Sequence, residues 1–332
     1  MTQLSKIRWT AALAALLILS LGAGSAGPQS SAQANSSDRV TYAPALAERA
    51  RPPRIPNDVE LMRDVAFGKG GDRPLKLNIL RPKNPPNRPM PVVVFVHGGG
   101  WRAGNKNVGI PRLVRLAQKG YFTVSIDYRL SGEAVFPAQI EDCKCAVRWL
   151  RAHAKEYDLD PDRIGVWGTS AGGHLVALLG TSGGAKELEG KGGWEKYSSR
   201  VQAVVDCFGP TDLLKIMADA GRSKVQGRRE FGSGKNPVAL LIGGPIEENK
   251  DKAAEASPVT YVSKDDPPFL ILHGDQDPLV PLVQSERFCE ALKKAGVEAE
   301  LHVVKGAGHG FARLGEVSHM IRNFFDEHLK VR

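Results

Sequence analysis

Short, unbroken apolar runs rich in branched and aromatic residues recur along the chain and predict buried strands. They lie at residues 92–96, 122–127, 164–167, 201–208, 269–272 and 298–304. Stretches between them carry apolar residues at helical spacing, most clearly at 137–153, 282–295 and 313–330. Two further strands at 60–67 and 75–80, joined by a turn, predict an antiparallel start to the sheet. Strands that alternate with helices predict an α/β fold with a mostly parallel, doubly wound sheet of about eight strands.

The first residues do not follow this pattern and predict an export signal. Lys6 and Arg8 precede an apolar run at 9–21, which small residues follow at 24–26 and again at 32–34. We therefore predict a secretory signal peptide and cleavage region at 1–34, and with it a secreted or periplasmic protein. The run is shorter than the roughly 20 apolar residues that a span needs, so no stable membrane span is expected after signal removal.

Composition divides the remainder into a lead-in and one domain. Residues 35–57 are rich in Ser, Ala, Pro and Arg without an apolar period, which predicts a flexible lead-in. Residues 58–332 suit one large domain better than two small ones. Within it, the segment 212–258 mixes helical pieces with glycines and is longer than a simple crossover needs, which predicts a small insertion. This insertion is either a lid over a site or a structural excursion.

Charge and cysteine usage exclude some classes of partner. The formal net charge of +9 comes from 45 Lys and Arg against 36 Asp and Glu, scattered without a long basic run. No nucleic-acid-binding motif accompanies this charge, so no nucleic-acid partner is expected. The four cysteines show no metal-ligand spacing, and no metal or other cofactor is expected. Cys143 and Cys145 point to different sides of one predicted helix and should not pair, while a disulfide that involves Cys207 or Cys289 stays open.

The segment 163–179 predicts a strand, a sharp turn and a helix around one serine. Gly168-Thr169-Ser170-Ala171-Gly172 fits the pattern G-x-S-x-G, in which a strained turn exposes the serine above the sheet. The positions two before and two after the serine must be small, which explains the glycines. Ser170 is therefore our candidate nucleophile, and the Ala171 N–H a candidate donor to a developing oxyanion.

A glycine cluster follows the predicted central strand at 92–96. Its sequence is His97-Gly98-Gly99-Gly100-Trp101. Consecutive glycines let backbone N–H groups approach a ligand closely, as an oxyanion hole requires. We expect the donors to be Gly99 and Gly100, with Gly98 as a less favoured substitute, and His97 to orient the loop. Trp101 either packs in the core or forms a wall of the pocket, and we assign it a substrate-binding role.

A serine nucleophile needs a histidine base and a carboxylate that orients it. His309 lies in a glycine-flanked turn after the last predicted strand, and Asp277 follows the strand before it. The order Ser170, Asp277, His309 is the order of α/β-hydrolases, and all three residues follow strands. Asp275 is the competing carboxylate, but we expect it to brace its loop because the turn toward Val280 aims Asp277 at the histidine.

Four motifs together resemble the hormone-sensitive-lipase-like branch of α/β-hydrolases. They are HGGGW at 97–101, GTSAGGHL at 168–175, HGDQDPLVP at 273–281 and GAGHGF at 306–311. With the YRLS and FPAQI stretches at 128–131 and 136–140, the chain is most similar to the bifunctional feruloyl and acetyl-xylan esterase-like group. Thr169 and His174 depart from the Asp and Asn usual in lipase-like members, which favours that group.

The resemblance implies an α/β-hydrolase fold and a Ser170–His309–Asp277 triad, with Gly99, Gly100 and Ala171 forming the oxyanion hole. It also implies a secreted serine carboxylesterase that cleaves short acetyl or feruloyl esters, expected on plant polysaccharide. An amidase or peptidase of prolyl-oligopeptidase type is the alternative, and a general short-chain lipase-like esterase is a less favoured one. A third possibility, from another class, is an inert carbohydrate-binding protein on the same fold.

Overall fold

The structure, a computed structural model, describes residues 54–222, 236–311 and 315–330. The predicted signal peptide at 1–34 lies outside the described residues, as do most of the lead-in and residues 223–235 of the insertion. Export and the domain boundaries therefore stay predictions. Among the helices in the described ranges, none is long and apolar enough to cross a membrane.

Strands and helices alternate along the described chain much as the hydrophobic pattern predicts. The strands are β1 (Val59–Gly70), β2 (Arg73–Pro82), β3 (Met90–Val96), β4 (Phe122–Ile126), β5 (Leu159–Thr169), β6 (Ala203–Cys207), β7 (Phe269–Gly274) and β8 (Ala299–Val304). The helices are α1 (Ile110–Ala117), α2 (Ala138–Ala152), α3 (Ala154–Tyr157), α4 (Ala171–Thr181), α5 (Ile216–Arg222), α6 (Pro237–Ile242), α7 (Lys250–Glu255), α8 (Val283–Lys294) and α9 (Gly315–Leu329). Short 3₁₀ turns occur at Lys106–Gly109, Lys186–Leu188, Ile246–Glu248 and Pro258–Tyr261.

The described strands form one eight-stranded sheet in the order β1-β2-β4-β3-β5-β6-β7-β8. The pairs β1–β2 and β2–β4 are antiparallel, and the strands from β4 to β8 run parallel. The predicted mostly parallel sheet of about eight strands with an antiparallel start is therefore confirmed. Parallel strands place their carboxyl ends at one edge, where open α/β sheets hold their sites.

Two apolar layers cover the faces of this sheet. Residues of α2, α4 and α8 pack on one face, and residues of α1 and α9 pack on the other. Every residue of β3 is buried, as its unbroken apolar run requires for a strand covered on both sides. This packing is the doubly wound arrangement that the sequence predicts.

The segment 212–258 contains α5, α6 and α7 in its described part, so the predicted insertion is present. It is tied to α8, since Arg287 contacts Asp219 at 2.8 and 3.0 Å. All four cysteines are buried free thiols, and no disulfide joins them, which closes the open question about Cys207 and Cys289. Cys143 is a core residue, as predicted.

Candidate active site

Ser170 lies in the sharp turn between β5 and α4. Its backbone has φ 55° and ψ −121°, a left-handed conformation that non-glycine residues rarely adopt. The flanking glycines make this turn possible: a Cβ on Gly168 would lie 2.1 Å from the Gly172 carbonyl oxygen, and one on Gly172 would lie 2.1 Å from the Val96 carbonyl oxygen. Because the obstacles are backbone atoms, only glycine fits at both positions. The Ser170 N–H donates to the Cys207 carbonyl at 2.9 Å, which ties the turn to β6.

The structure brings the three predicted side chains into one hydrogen-bonded line. His309 Nε2 lies 2.8 Å from Ser170 Oγ, and His309 Nδ1 lies 2.7 Å from Asp277 Oδ2. A carboxylate can only accept, so Nδ1 carries the proton and Nε2 is free to accept the serine hydroxyl proton. The imidazole is 15% exposed while the Asp277 carboxylate is fully buried, so the histidine faces the solvent side of the pair.

Asp277 is held as an anion by its surroundings. Burial alone would raise the pKa of this carboxyl, but contacts with His273 and His309 hold the pKa well below its usual range. Its other oxygen, Oδ1, accepts the N–H groups of Leu279 at 2.8 Å and Val280 at 2.9 Å. The turn toward Val280 therefore orients Asp277.

The competing Asp275 accepts the N–H of Gly306 at 2.7 Å. It thus ties its own loop, which we expected it to brace, to the loop that follows β8. In the same way His97 orients the glycine cluster, because its Nδ1 lies 2.8 Å from the Gly98 carbonyl oxygen and its ring stacks on Tyr128.

The glycine cluster lies directly beside the nucleophile turn. A Cβ on Gly98 would be 2.6 Å from the Thr169 carbonyl oxygen and 3.3 Å from Ser170 Cβ. Gly99 and Gly100 have φ of +121° and +60°, conformations that favour glycine. Within the described part of the chain, the N–H groups of Gly99, Gly100 and Ala171 have no acceptor. These groups are therefore available to a ligand oxygen.

Trp101 does not occupy the position that a substrate-binding role requires. Only 3% of the residue is exposed, and its indole N–H donates to His174 Nδ1 at 3.1 Å. His174 Nε2 in turn lies 2.6 Å from the Ala256 carbonyl oxygen, and burial lowers the pKa of this histidine to about 4. Our assignment of Trp101 to substrate binding is thus wrong, since its apolar surface packs in the core. Trp101 and His174 instead connect the glycine cluster, α4 and the insertion.

Three supporting residues carry no sequence signal that reveals their role. Phe208, at φ 46°, packs edge-to-face on the His309 ring at 4.6 Å between ring centres. Asp206 is fully buried on β6, where one carboxylate oxygen accepts the Gly209 N–H at 2.9 Å. The second oxygen of this carboxyl has no hydrogen-bond partner among the described residues. Burial raises the pKa of the Asp206 carboxyl to about 6. The third residue, His273, is the penultimate residue of β7, and its Nε2 lies 3.4 Å from Asp277 Oδ2.

The described residues offer no group of three or more His, Cys, Asp or Glu side chains arranged to hold a metal ion. The reactive groups that the structure brings together are the serine hydroxyl, the imidazole, the carboxylate and the backbone N–H groups. Together they can activate a hydroxyl nucleophile and stabilise a developing negative charge.

Comparison with known proteins places this site in a family. The BD-FAE family model matches residues 77–292, which is more than half of the chain and includes the nucleophile turn and Asp277. The chain belongs to the BD-FAE family. The α/β-hydrolase fold and the predicted resemblance to the hormone-sensitive-lipase-like branch are therefore confirmed.

Individual relatives of this BD-FAE protein are esterases by name. It is 33% identical over 265 residues to Esterase LipC of Mycobacterium tuberculosis, covering 77% of this chain and 63% of LipC. It is similar to a solved truncated carbohydrate esterase from gut microbiota, with 32% identity, a TM-score of 0.71 and coverage of 81% of this chain and 96% of that one. A propionate-bound esterase from Thermogutta terrifontis has 28% identity, a TM-score of 0.66 and coverage of 85% and 98%. The chain spans about three fifths of the length of LipC and of two further mycobacterial relatives.

Proposed function

We propose that this BD-FAE protein is a serine carboxylesterase that works through an acyl-enzyme. The observation that carries the proposal is the line of contacts from Ser170 Oγ through His309 to Asp277, at 2.8 and 2.7 Å. The esterase names of its relatives support the same activity.

In the proposed reaction, His309 Nε2 removes the Ser170 proton as Oγ attacks the ester carbonyl carbon. The resulting oxyanion accepts the N–H groups of Gly99, Gly100 and Ala171. As the tetrahedral intermediate collapses, the alcohol leaves with the proton that His309 holds. Water then attacks the acyl-enzyme with His309 again as base, and the released acid restores the serine. Asp277 keeps the imidazole in the required tautomer and stabilises it when it is charged.

We further propose that the substrates are short acyl esters on a carbohydrate, acetyl or feruloyl in kind, and that the protein is exported. Support for the short acyl group comes from the similar esterase solved with propionate, and support for the carbohydrate comes from the similar carbohydrate esterase from gut microbiota. Support for export comes from the charged and apolar pattern at 1–34.

The test measures turnover of p-nitrophenyl acetate, butyrate and octanoate, release of acetate from acetyl-xylan, and release of ferulate from methyl ferulate. Ser170→Ala should lower kcat at least ~1,000-fold, because the nucleophile is lost. The control Ser318→Ala removes a partly exposed serine on α9 and should keep full turnover. A fluorophosphonate should add one mass increment to the wild type and none to Ser170→Ala.

Each result decides a separate part of the proposal. Activity that survives in Ser170→Ala overturns the nucleophile assignment. Good turnover of simple esters without acetate from acetyl-xylan overturns the carbohydrate substrate. If peptide nitroanilides are cleaved faster than esters, the protein is an amidase and not an esterase.

A further inference from the structure

A second histidine, His273, also contacts the candidate carboxylate, Asp277. It lies at the end of β7 and is completely buried. Its Nδ1 lies 2.7 Å from Ser285 Oγ on α8, and its Nε2 lies 2.9 Å from the Val280 carbonyl oxygen. His273 has no role in the reaction steps proposed above.

The partners of His273 fix which ring nitrogen carries a proton. A carbonyl oxygen only accepts, so the nitrogen facing Val280, Nε2, is an N–H donor. The Ser285 hydroxyl can donate to the unprotonated Nδ1, which gives a neutral ring with its proton on Nε2. That same Nε2 lies 3.4 Å from Asp277 Oδ2, the oxygen that also receives the His309 Nδ1–H at 2.7 Å. Two imidazoles therefore meet one carboxylate oxygen.

Asp277 Oδ2 therefore accepts a hydrogen bond from His309 and also lies near the Nε2–H dipole of His273, which is hydrogen-bonded to Val280. A carboxylate oxygen that faces a second N–H dipole attracts the proton of the first donor less strongly. The ionisable groups facing His273 are Asp277 and His309 in the adjoining loops and Asp206 on the neighbouring strand β6, while α8 contributes the Ser285 hydroxyl. Of these, Asp277 is the one whose oxygen His273 and His309 share.

We propose that His273 is a positioning residue of the triad, which fixes Asp277 Oδ2 toward His309 and limits how strongly the carboxylate holds the His309 proton. The inference rests on the proposed function for its catalytic readout and deepens it. Loss of the Nε2–H donor has two consequences. The carboxylate is less well oriented, which lowers kcat, and it binds the imidazolium proton more tightly, which moves the acid limb of the kcat/KM profile to higher pH.

The experiment compares His273→Leu, which removes the donor, with His273→Gln, whose amide can still donate. The Leu variant should lose roughly 10- to 100-fold in kcat with little change in KM, since a misplaced catalytic group costs rate rather than binding. The acid limb of its kcat/KM profile should move to higher pH by about half a pH unit or more. The Gln variant should keep much of the wild-type kcat, and its acid limb should lie close to that of the wild type. Ser285→Ala removes the hydrogen bond to Nδ1 of the His273 ring but keeps the Nε2–H, so the acid limb should stay in place. His302→Gln controls for the loss of a histidine elsewhere in the protein.

A measurement without turnover separates this inference from the proposed function. In ¹⁵N-labelled wild-type protein, the His273 ring should carry a proton on Nε2, the nitrogen that faces the Val280 carbonyl oxygen. The midpoint of the His309 titration, read from its ring signals, should rise in His273→Leu. If wild type turns over no ester but the ring signals behave as stated, the proposed function fails and the His273 inference stands.

Three results would overturn the inference. One is a wild-type His273 ring protonated on Nδ1 alone. Another is an identical acid limb and His309 midpoint in the wild type, Gln and Leu variants. The last is an equal shift in Ser285→Ala, which would make the effect one of packing. The ring tautomer is read on the wild type, so the inference can fail even if the Leu variant does not fold.

Discussion

The buried carboxyl of Asp206 predicts an unusual pH dependence of stability. Its pKa is raised from 3.8 to about 6 by burial, while in the unfolded chain it has its ordinary value. Between these two values the folded protein holds a proton that the unfolded chain has released. The contribution of the Asp206 carboxyl to the free energy of unfolding is therefore complete below about pH 4 and is lost as the pH rises through 6.

The size of the effect follows from the two pKa values. The difference is about two pKa units, and each unit corresponds to about 1.4 kcal/mol, so Asp206 should remove about 3 kcal/mol from the free energy of unfolding between pH 4 and pH 7. Asp206→Asn keeps an oxygen for the Gly209 N–H and cannot ionise. The variant should therefore lack this decline, whatever its absolute stability.

The assay is urea unfolding of wild type and Asp206→Asn at half-unit intervals from pH 4 to pH 8. The quantity of interest is the difference between the two curves, because other carboxyls such as Asp266, whose pKa burial also raises, contribute equally to both. Asp251→Asn, which removes an exposed carboxylate on α7, should run parallel to wild type. A wild-type curve that stays parallel to Asp206→Asn across this range would refute the argument from burial.

Three further predictions test the framework of the site. Gly172→Ala should destabilise the protein by roughly 1–3 kcal/mol or prevent folding, because the new methyl group meets a backbone oxygen; thermal melting decides this, and Gly132→Ala, which has open space around it, should melt like wild type. Glu189→Gln should cost roughly 3–5 kcal/mol in urea unfolding, since it leaves the buried cations Lys144 and Arg148 uncompensated. The added change Lys144→Met should recover part of that loss, and a double variant no better than the single would contradict the charge argument. The native protein should expose none of its four thiols to Ellman's reagent and all four after denaturation, and a native titre of two or more would contradict the buried positions.

Features of the fold that depend on local sequence could be predicted, and those set by long-range register could not. Strands covered on both faces must be apolar without interruption, so β3 and β7 are visible as runs. The sequence predicts β5 only from residue 164, because Asp160 and Pro161 do not belong to an apolar run. In the structure this end is extended and Leu159 pairs with Met90.

The same distinction applies to the site. Ser170, Asp277 and His309 each follow a predicted strand, and parallel strands bring such positions to one edge. The role of His273 depends on where the following turn places the Val280 carbonyl, which the motif alone does not specify. Trp101 was assigned to the pocket because tryptophan suits both walls and cores, and only its burial decides between them.

The triad draws its members from parts of the sheet that differ in how firmly they are held. The nucleophile follows β5, which has β3 on one side and β6 on the other, whereas the base follows β8, whose one neighbour among the described strands is β7. An edge strand opens more readily than a central one, through local excursions that leave the remaining core intact. We therefore expect partial unfolding to begin at β8, which would separate the candidate base from the candidate nucleophile while the centre of the sheet stays folded.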